Sequence, residues 1–455
     1  MKTRLQALKI YKAVLWLLLL LILSAGTQTA VAQERRLSLD DALSRAQNNG
    51  FAIRTAEAAR EAARADAHRA RAAFLPQISV SENATATNDP LNAFGFRLKK
   101  ETIGLPDFDP ARLNDPGRVD LLSTGVEVRQ PLLNPKGLFQ HKAAQSQAHA
   151  ASMSLERMRH LTAFQVKKDY FSLVLARRSL VVVDASLAAA KANEAQARHF
   201  SDEGLITRAD LLAAHVRVLD LESRRTAASH AVENASDALR YTLGLEEPVT
   251  LIPTDSLEAF PAPATPVDVA SVNAQRSDMK ALRLQVDAAQ SMVRARRLGF
   301  LPQLNVFGSY ERNDKRRFLG AYGSNWSVGA VLQWNLFSGY RQAGAVERAR
   351  ADLSRVRTAY QDRSLKNEVE LRAARRGIEQ AREQLSFAKA AVEQARENLR
   401  IRTDRYAQGL EKTTDVLDAE VSLAEQRLGY LRTLYQYDLN IFQLEFLTEI
   451  PQTDR

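Results

Sequence analysis

The chain contains no cysteine among its 455 residues. That excludes disulfides, thiolate-bound zinc, thiol catalysis and a lipid-modified N-terminal cysteine. Glycine and proline are scarce, at 19 and 14, so few turns and long elements are expected. No GxSxG, P-loop, GxGxxG or HExxH pattern occurs, so no enzyme, cofactor or metal site is expected. Beyond residue 32 no apolar run reaches the length of about 18 that a membrane helix requires. What is present is 45% hydrophobic and 25% charged residues, enough for a large core. The formal charge of +10 falls to +6 once Lys2, Arg4, Lys9 and Lys12 are set aside. For this length that is mild and makes no case for nucleic acid.

Those four basic residues precede the apolar run 13–23, and a short polar stretch then ends in Ala30-Val31-Ala32. Charged, apolar and A-x-A segments in that order mark residues 1–32 as a secretory signal peptide. The alternative is a short N-terminal anchor.

Behind it the chain reads as a tandem repeat. Phe74-Leu-Pro-Gln-Ile-Ser-Val80 recurs as Phe300-Leu-Pro-Gln-Leu-Asn-Val306. Gln130-Pro-Leu-Leu-Asn134 parallels Trp334-Asn-Leu-Phe-Ser338, and Gly204-Leu205 with Asp210 parallels Gly409-Leu410 with Asp415. Three landmarks in one order imply duplication, with repeats at 33–243 and 267–450. The first repeat holds extra residues in Asn88–Gly117, expected to be a long loop. Between the repeats, 244–266 carries five prolines and reads as a linker or strap.

Each repeat follows helix, strand, strand, long helix, helix. Ile378, Ala381, Leu385, Ala388, Val392, Ala395 and Leu399 step by alternating threes and fours, the seam of a left-handed coiled coil. The answering seam is expected at Leu417, Val421, Ala424, Leu428, Leu431 and Tyr435, and in the first repeat at Leu180, Val183, Leu187 and Ala190. Tyr340–Ala407 would be about 100 Å long, and 136–200 nearly so; the shorter helices, expected at 39–72, 207–242, 268–299 and 412–447, would be about 50 Å each. Two short helices end to end therefore match one long one, as in a rod.

Strands are expected at about 76–87, 119–131, 302–312 and 325–336, each with one apolar and one polar face. Such strands suit either a soluble sandwich or a transmembrane barrel, with Tyr310, Trp326, Trp334 and Phe337 at the lipid boundaries. Export and the strand number favour the barrel. Four strands cannot close, and an open edge cannot face lipid, so subunits would share one barrel. Two chains would give a side-chain-filled barrel of eight strands, and three a barrel of twelve with a lumen.

The repeat, its FLP motifs, QPLLN and WNLFSG leaving the second strands, and Tyr406-Ala-Gln-Gly-Leu410 with Asp415-Val-Leu-Asp-Ala419 resemble the TolC-type outer-membrane efflux proteins. The resemblance spans nearly all of the chain after the signal segment. It implies a mainly α homotrimer: a 12-stranded outer-membrane β-barrel continued by a long α-helical coiled-coil barrel in the periplasm. It also implies an exit duct of a tripartite efflux or type I secretion system, meeting a periplasmic adaptor and an inner-membrane transporter. The rival reading is a non-channel periplasmic coiled coil with a structural or adhesive role.

Carried over by position, Asp415 and Asp418 would ring the tunnel constriction. Spaced i, i+3, they share a helix face, and three copies would form a ring that favours, and could bind, cations. Helix-dipole complementation is the plainer reading. Asp210 is the first-repeat counterpart or the acid of a capping box begun by Thr207. Tyr406 is a tip tyrosine or a heptad core residue. Gly204, Leu205, Thr207, Gly409 and Leu410 match the adaptor-docking tips. Glu411 and Lys412 depart from the family pattern there. His141 and His149 read as surface residues.

Overall fold

The computed structural model describes residues 33–261, 268–320 and 322–450. The expected signal segment 1–32 and the end of the expected linker lie outside them. The elements are β1 (Gln33–Leu37), α1 (Leu39–Asn49), α2 (Phe51–Ala70), β2 (Gln77–Thr87), α3 (Pro90–Lys99), α4 (Pro110–Asn114) and β3 (Val119–Leu133). There follow α5 (Pro135–Asp202), α6 (Arg208–Thr242), β4 (Val249–Pro253), α7 (Val269–Gln275) and α8 (Ser277–Leu298). The chain ends with β5 (Gln303–Asp314), β6 (Gly323–Gln333), α9 (Arg341–Ala407) and α10 (Thr413–Thr448).

Helices α5 and α9 have 68 and 67 residues, about 100 Å each at 1.5 Å per residue. Each folds back on a helix of half its length, α6 or α10, and α2 and α8 pack along the remainder. At the far end β2-β3-β5-β6 form one antiparallel four-stranded sheet, with β2 and β6 at its edges.

The main core lies at mid-rod, where both repeats meet. Tyr170, Phe171, Leu239, Leu251, Phe260, Leu371, Ile378, Ile441 and Phe442 belong to one buried cluster. Phe171, Phe260 and Phe442 contact one another with ring centroids 4.9–5.5 Å apart, a geometry that adds to their area burial. The buried Tyr170 hydroxyl ties Leu37 O (3.0 Å) and the Asp255 carboxylate together.

Several sequence expectations change. The helix expected over 39–72 is two helices, because Gly50 is extended (ψ 132°) while its N–H still closes α1 on Ala46 O at 3.0 Å. The helix expected over 268–299 breaks at Arg276 (ψ 135°), whose side chain turns into the core. The 88–117 segment is no bare loop: it contains α3, a 3-10 turn at Leu105–Phe108 and α4. The strap contributes β4, which pairs in parallel with β1. His141 stacks edge-on against Phe74 at 5.2 Å, so it is half-buried at the sheet end.

The α9 seam is buried or half-buried along its length, as expected. The answering seam on α10 is likewise buried at Leu417 and half-buried at Val421, Ala424, Leu428, Leu431 and Tyr435, and burial extends beyond it to Val416, Ala419, Leu423, Leu434, Tyr437, Ile441 and Leu444. The reason is that α10 packs against both α9 and α5. A helix with two neighbours buries the arc between them, not a single seam.

The Arg276 break is held by charge. Its guanidinium is fully buried, donates to Leu447 O at 3.1 Å and pairs with Asp278 at 2.7 Å. Arg363 joins the same carboxylate at 3.0 Å. Burial would raise the Asp278 pKa, but the hydrogen bonds and charge of Arg276, with Arg157 and Arg363, outweigh it and hold it at about 2. A depressed carboxylate stabilises the fold fully above its ordinary pKa, and the contribution fades as pH falls through the lowered one. Stability worth about 2 kcal/mol is therefore expected to be lost between about pH 4 and pH 2. In Asp278→Ala that acid-dependent step should vanish, and the variant should be destabilised by about 3–5 kcal/mol, because Arg276 is left buried and under-paired. Denaturant unfolding against pH checks both.

Candidate functional sites: the sheet face and the helical tips

The registers decide how the sheet is coloured. Ile78 and Val80 pair with Val128 and Val126, which pair with Gly308 and Tyr310, which pair with Val328 and Trp326. Directly paired residues share a face, so one side is Ile78, Val80, Val126, Val128, Val306, Tyr310, Trp326, Val328, Ala330 and Leu332. The other side carries Ser79, Ser81, Asn83, Glu127, Ser309, Glu311 and Ser327. The apolar side is uncovered: Val80 is 70% and Trp326 76% exposed. Such a contiguous apolar face requires a covering phase.

Tyr310 and Trp326 form a direct cross-strand pair at one rim of that face. Trp334 lies at the other rim but outside the strand, which ends at Gln333 rather than at the expected 336. Its indole N–H donates to Phe300 O at 2.9 Å and closes the sheet end. In the first repeat the Gln130 side chain donates to Phe74 O at 2.8 Å. The two sequence landmarks of each half are thus bonded to each other. Phe337 sits in the following turn, edge-on to Tyr340 at 5.7 Å. Trp326 to Trp334 spans eight residues, about 27 Å of extended chain, which at a strand tilt of about 40° rises about 21 Å, within the apolar band of about 25 Å of an outer-membrane barrel.

At the opposite end both helical tips use one turn. Gly204 (φ 73°) and Gly409 (φ 74°) are left-handed. Leu205 N–H donates to Phe200 O (2.8 Å) and Leu410 N–H to Arg405 O (3.0 Å). Gly204 and Gly409 N–H donate to Ser201 O and Tyr406 O. This is the Schellman closure, for which glycine carries no Cβ penalty. Leu205 and Leu410 are both largely exposed at these turns.

Asp210 proves to be a cap. Its N–H donates to Thr207 Oγ1 (3.3 Å), and its carboxylate accepts from Thr207 N–H (3.0 Å). Thr207 therefore holds the Asp210 carboxyl below the usual range. Among the described residues no hydrogen bond or ion pair joins Asp210 to Asp415 or Asp418. Asp415 is half-buried, 3.9 Å from Arg402, whereas Asp418 is exposed with no ion-pair partner among the described residues. Tyr406 is half-buried between the two tips. Its ring lies 6.2 Å from Phe200 of the first tip, and its hydroxyl accepts from Thr413 at 3.2 Å.

Glu411, read from the sequence only as a departure from the family pattern, has a role that sequence reasoning missed. It pairs with Arg402 (2.6 Å) and Arg405 (2.7 Å), locking the second turn. The signal was there: two arginines one turn apart, followed by an acid just past the glycine turn. A second missed link is Asn193 to Glu420 at 2.6 Å, joining α5 to α10; burial pushes Glu420 up even so. Among the described residues no cluster of three His, Asp or Glu is placed to hold a metal, and no helix is long and apolar enough to cross a membrane.

Residues 42–245 and 269–448 match the family described as outer membrane efflux protein, and the chain belongs to that family. It is thus an outer-membrane transport protein of efflux with a large periplasmic part, in a family of channels and not of enzymes. Outer membrane protein TolC of Vibrio cholerae is 24% identical over 438 residues, 94% of each chain. The Campylobacter jejuni CmeC outer membrane channel superposes with a TM-score of 0.77 at 17% identity, over 90% of this chain and 85% of its own. The open-state MtrE outer membrane channel of Neisseria gonorrhoeae gives 0.75 at 17% identity, over 90% and 88%. These likenesses show the shared fold.

Proposed function

We propose that three copies form an exit duct that conducts substrates passively across the periplasm and outer membrane, fed by an inner-membrane transporter through a periplasmic adaptor. One observation carries this reading: a four-stranded sheet with an exposed apolar band across one face and two unpaired edges. In lipid every backbone polar group must be paired within protein, so the sheet must close, and three copies leave a lumen. The helices agree. Leu212, Val216 and Leu219 form an exposed heptad stripe on α6, and Leu365 and Val369 lie exposed on α9. Neighbouring helices would bury both. The duplication read from the sequence would make the two hairpins of each protomer near-equivalent staves of one tunnel.

In this assembly Tyr310, Trp326, Trp334 and Phe337 sit at the two headgroup levels. Asp415 and Asp418 ring the closed tip, with Tyr406 between the hairpins and Asp210 capping the neighbouring helix. Gly204, Leu205, Thr207, Gly409 and Leu410 present the docking tips. A periplasmic adhesive coiled coil leaves the apolar sheet face unexplained. The assembly test is direct: detergent extracts of outer membranes should yield a heat-resistant trimer that forms channels in planar bilayers, and a water-soluble folded monomer would refute it. Leu205→Asp with Leu410→Asp is expected to keep that trimer yet reduce substrate efflux at least about tenfold, since each tip loses its apolar anchor. Drug accumulation in cells and gel analysis of the trimer measure the two effects separately.

A further inference from the structure

The insertion between β2 and β3 lies on the wrong side of the sheet for a simple surface loop. On the polar face Leu121 is 4%, Ser123 8% and Asn313 0% exposed. These are the faces' outermost rows, and α3 covers them. Lys99 of α3 pairs with Glu311 of β5 at 3.3 Å, reaching over the polar face. Lys100 is buried and donates to Asp120 O at 2.8 Å. Phe96 and Lys99 line, with Ser81, Asn83, Ser123 and Glu311, a cavity of about 400 Å³ between helix and sheet. The cross-strand apolar face, by contrast, is bare.

We propose that α3 is a second constriction, at the outer mouth, which limits the size of what leaves the duct. The inference rests on the trimeric barrel proposed above, whose lumen is the polar face. Twelve strands about 4.8 Å apart and tilted about 40° close a barrel about 24 Å across. Three helices about 10 Å thick, placed side by side, need a circle of about 22 Å. Three inward-folded α3 helices therefore leave only a narrow central passage. The Lys99–Glu311 pair is the latch that holds each helix against its wall. The pair is partly exposed, and such pairs are weak, so the helix can yield to a passing substrate.

The test uses the natural absence of cysteine. Ser79→Cys places one thiol on the polar face, one row deeper than Glu311. In intact cells a small membrane-impermeant maleimide added outside should label it, while a bulky polymer-linked maleimide should label it slowly. Adding Lys99→Glu sets two like charges together and should speed bulky labelling about tenfold; adding Glu311→Lys as well should restore the slow rate. Gel migration of the trimer confirms that each variant is assembled. Rapid bulky labelling of Ser79→Cys alone, or no change with Lys99→Glu in an assembled trimer, overturns the constriction. Failure of the small reagent to label overturns the lumen itself and the duct reading with it.

Discussion

Val328→Arg is expected to abolish assembly in the outer membrane. Val328 sits mid-strand in β6, beside Gly308 and on the same face as Trp326 and Leu332. A charged residue on the lipid face of a barrel near the bilayer centre costs about 2–4 kcal/mol. A trimer carries that penalty three times, which is comparable with the whole stability of an ordinary domain. The control is one residue away. Ser327→Arg faces the polar side, where Ser327 and Ser309 hydroxyls meet at 2.8 Å, and a lumenal charge is solvated. Outer-membrane fractions should therefore contain the heat-resistant trimer of Ser327→Arg and little or none of Val328→Arg. Equal amounts of both would show that the apolar face does not contact lipid.

The second large effect is expected at the tip. In Asp415→Asn with Asp418→Asn, block of the channel by divalent cations should weaken at least about tenfold, and conductance should rise. Arg402 offsets Asp415 only from 3.9 Å, and Asp418 has no ion-pair partner among the described residues. In the proposed trimer, three copies would bring six carboxylates to one narrow ring with little internal compensation, and such a ring concentrates cations. The acid of the first tip behaves differently. Asp210 is committed to the capping box, so Asp210→Asn should leave cation block nearly unchanged; loss of the N-cap hydroxyl that accepts from Asp210 N–H, as in Thr207→Ala, should destabilise α6 by about 1 kcal/mol. Single-channel recordings in bilayers at varied divalent concentration separate these outcomes. Block of the double variant at the parent concentration would remove the carboxylate ring from the mechanism.

Much of this was legible in the residues themselves. The FLP landmarks, the alternating strands and the α9 seam each depend on spacing along one chain, and spacing is what a sequence records. Gly204 and Gly409 were also readable, since a helix that must reverse within a few residues needs a left-handed position. The breaks at Gly50 and Arg276 were not. Each continues a helical pattern in sequence, and each is decided by what the backbone meets: Gly244 at the start of the strap at one, Asp278 and Leu447 at the other. The wider buried arc of α10 was hidden for a similar reason, because nothing in its own periodicity states that α5 is a second neighbour.

The sequence by itself determined the rod, the four amphipathic strands, the paired tips and the family, because helix length, strand alternation and turn glycines are local properties of the chain. Only the tertiary structure decided that the apolar rows of the four strands fall on one side of one sheet, that Glu411 locks the second tip while Asp210 belongs to the capping box that starts α6, and that α3 folds over the polar face. Those depend on register and on contacts between residues far apart in the chain: a shift of one residue in any pairing would turn a strand's apolar set to the other face.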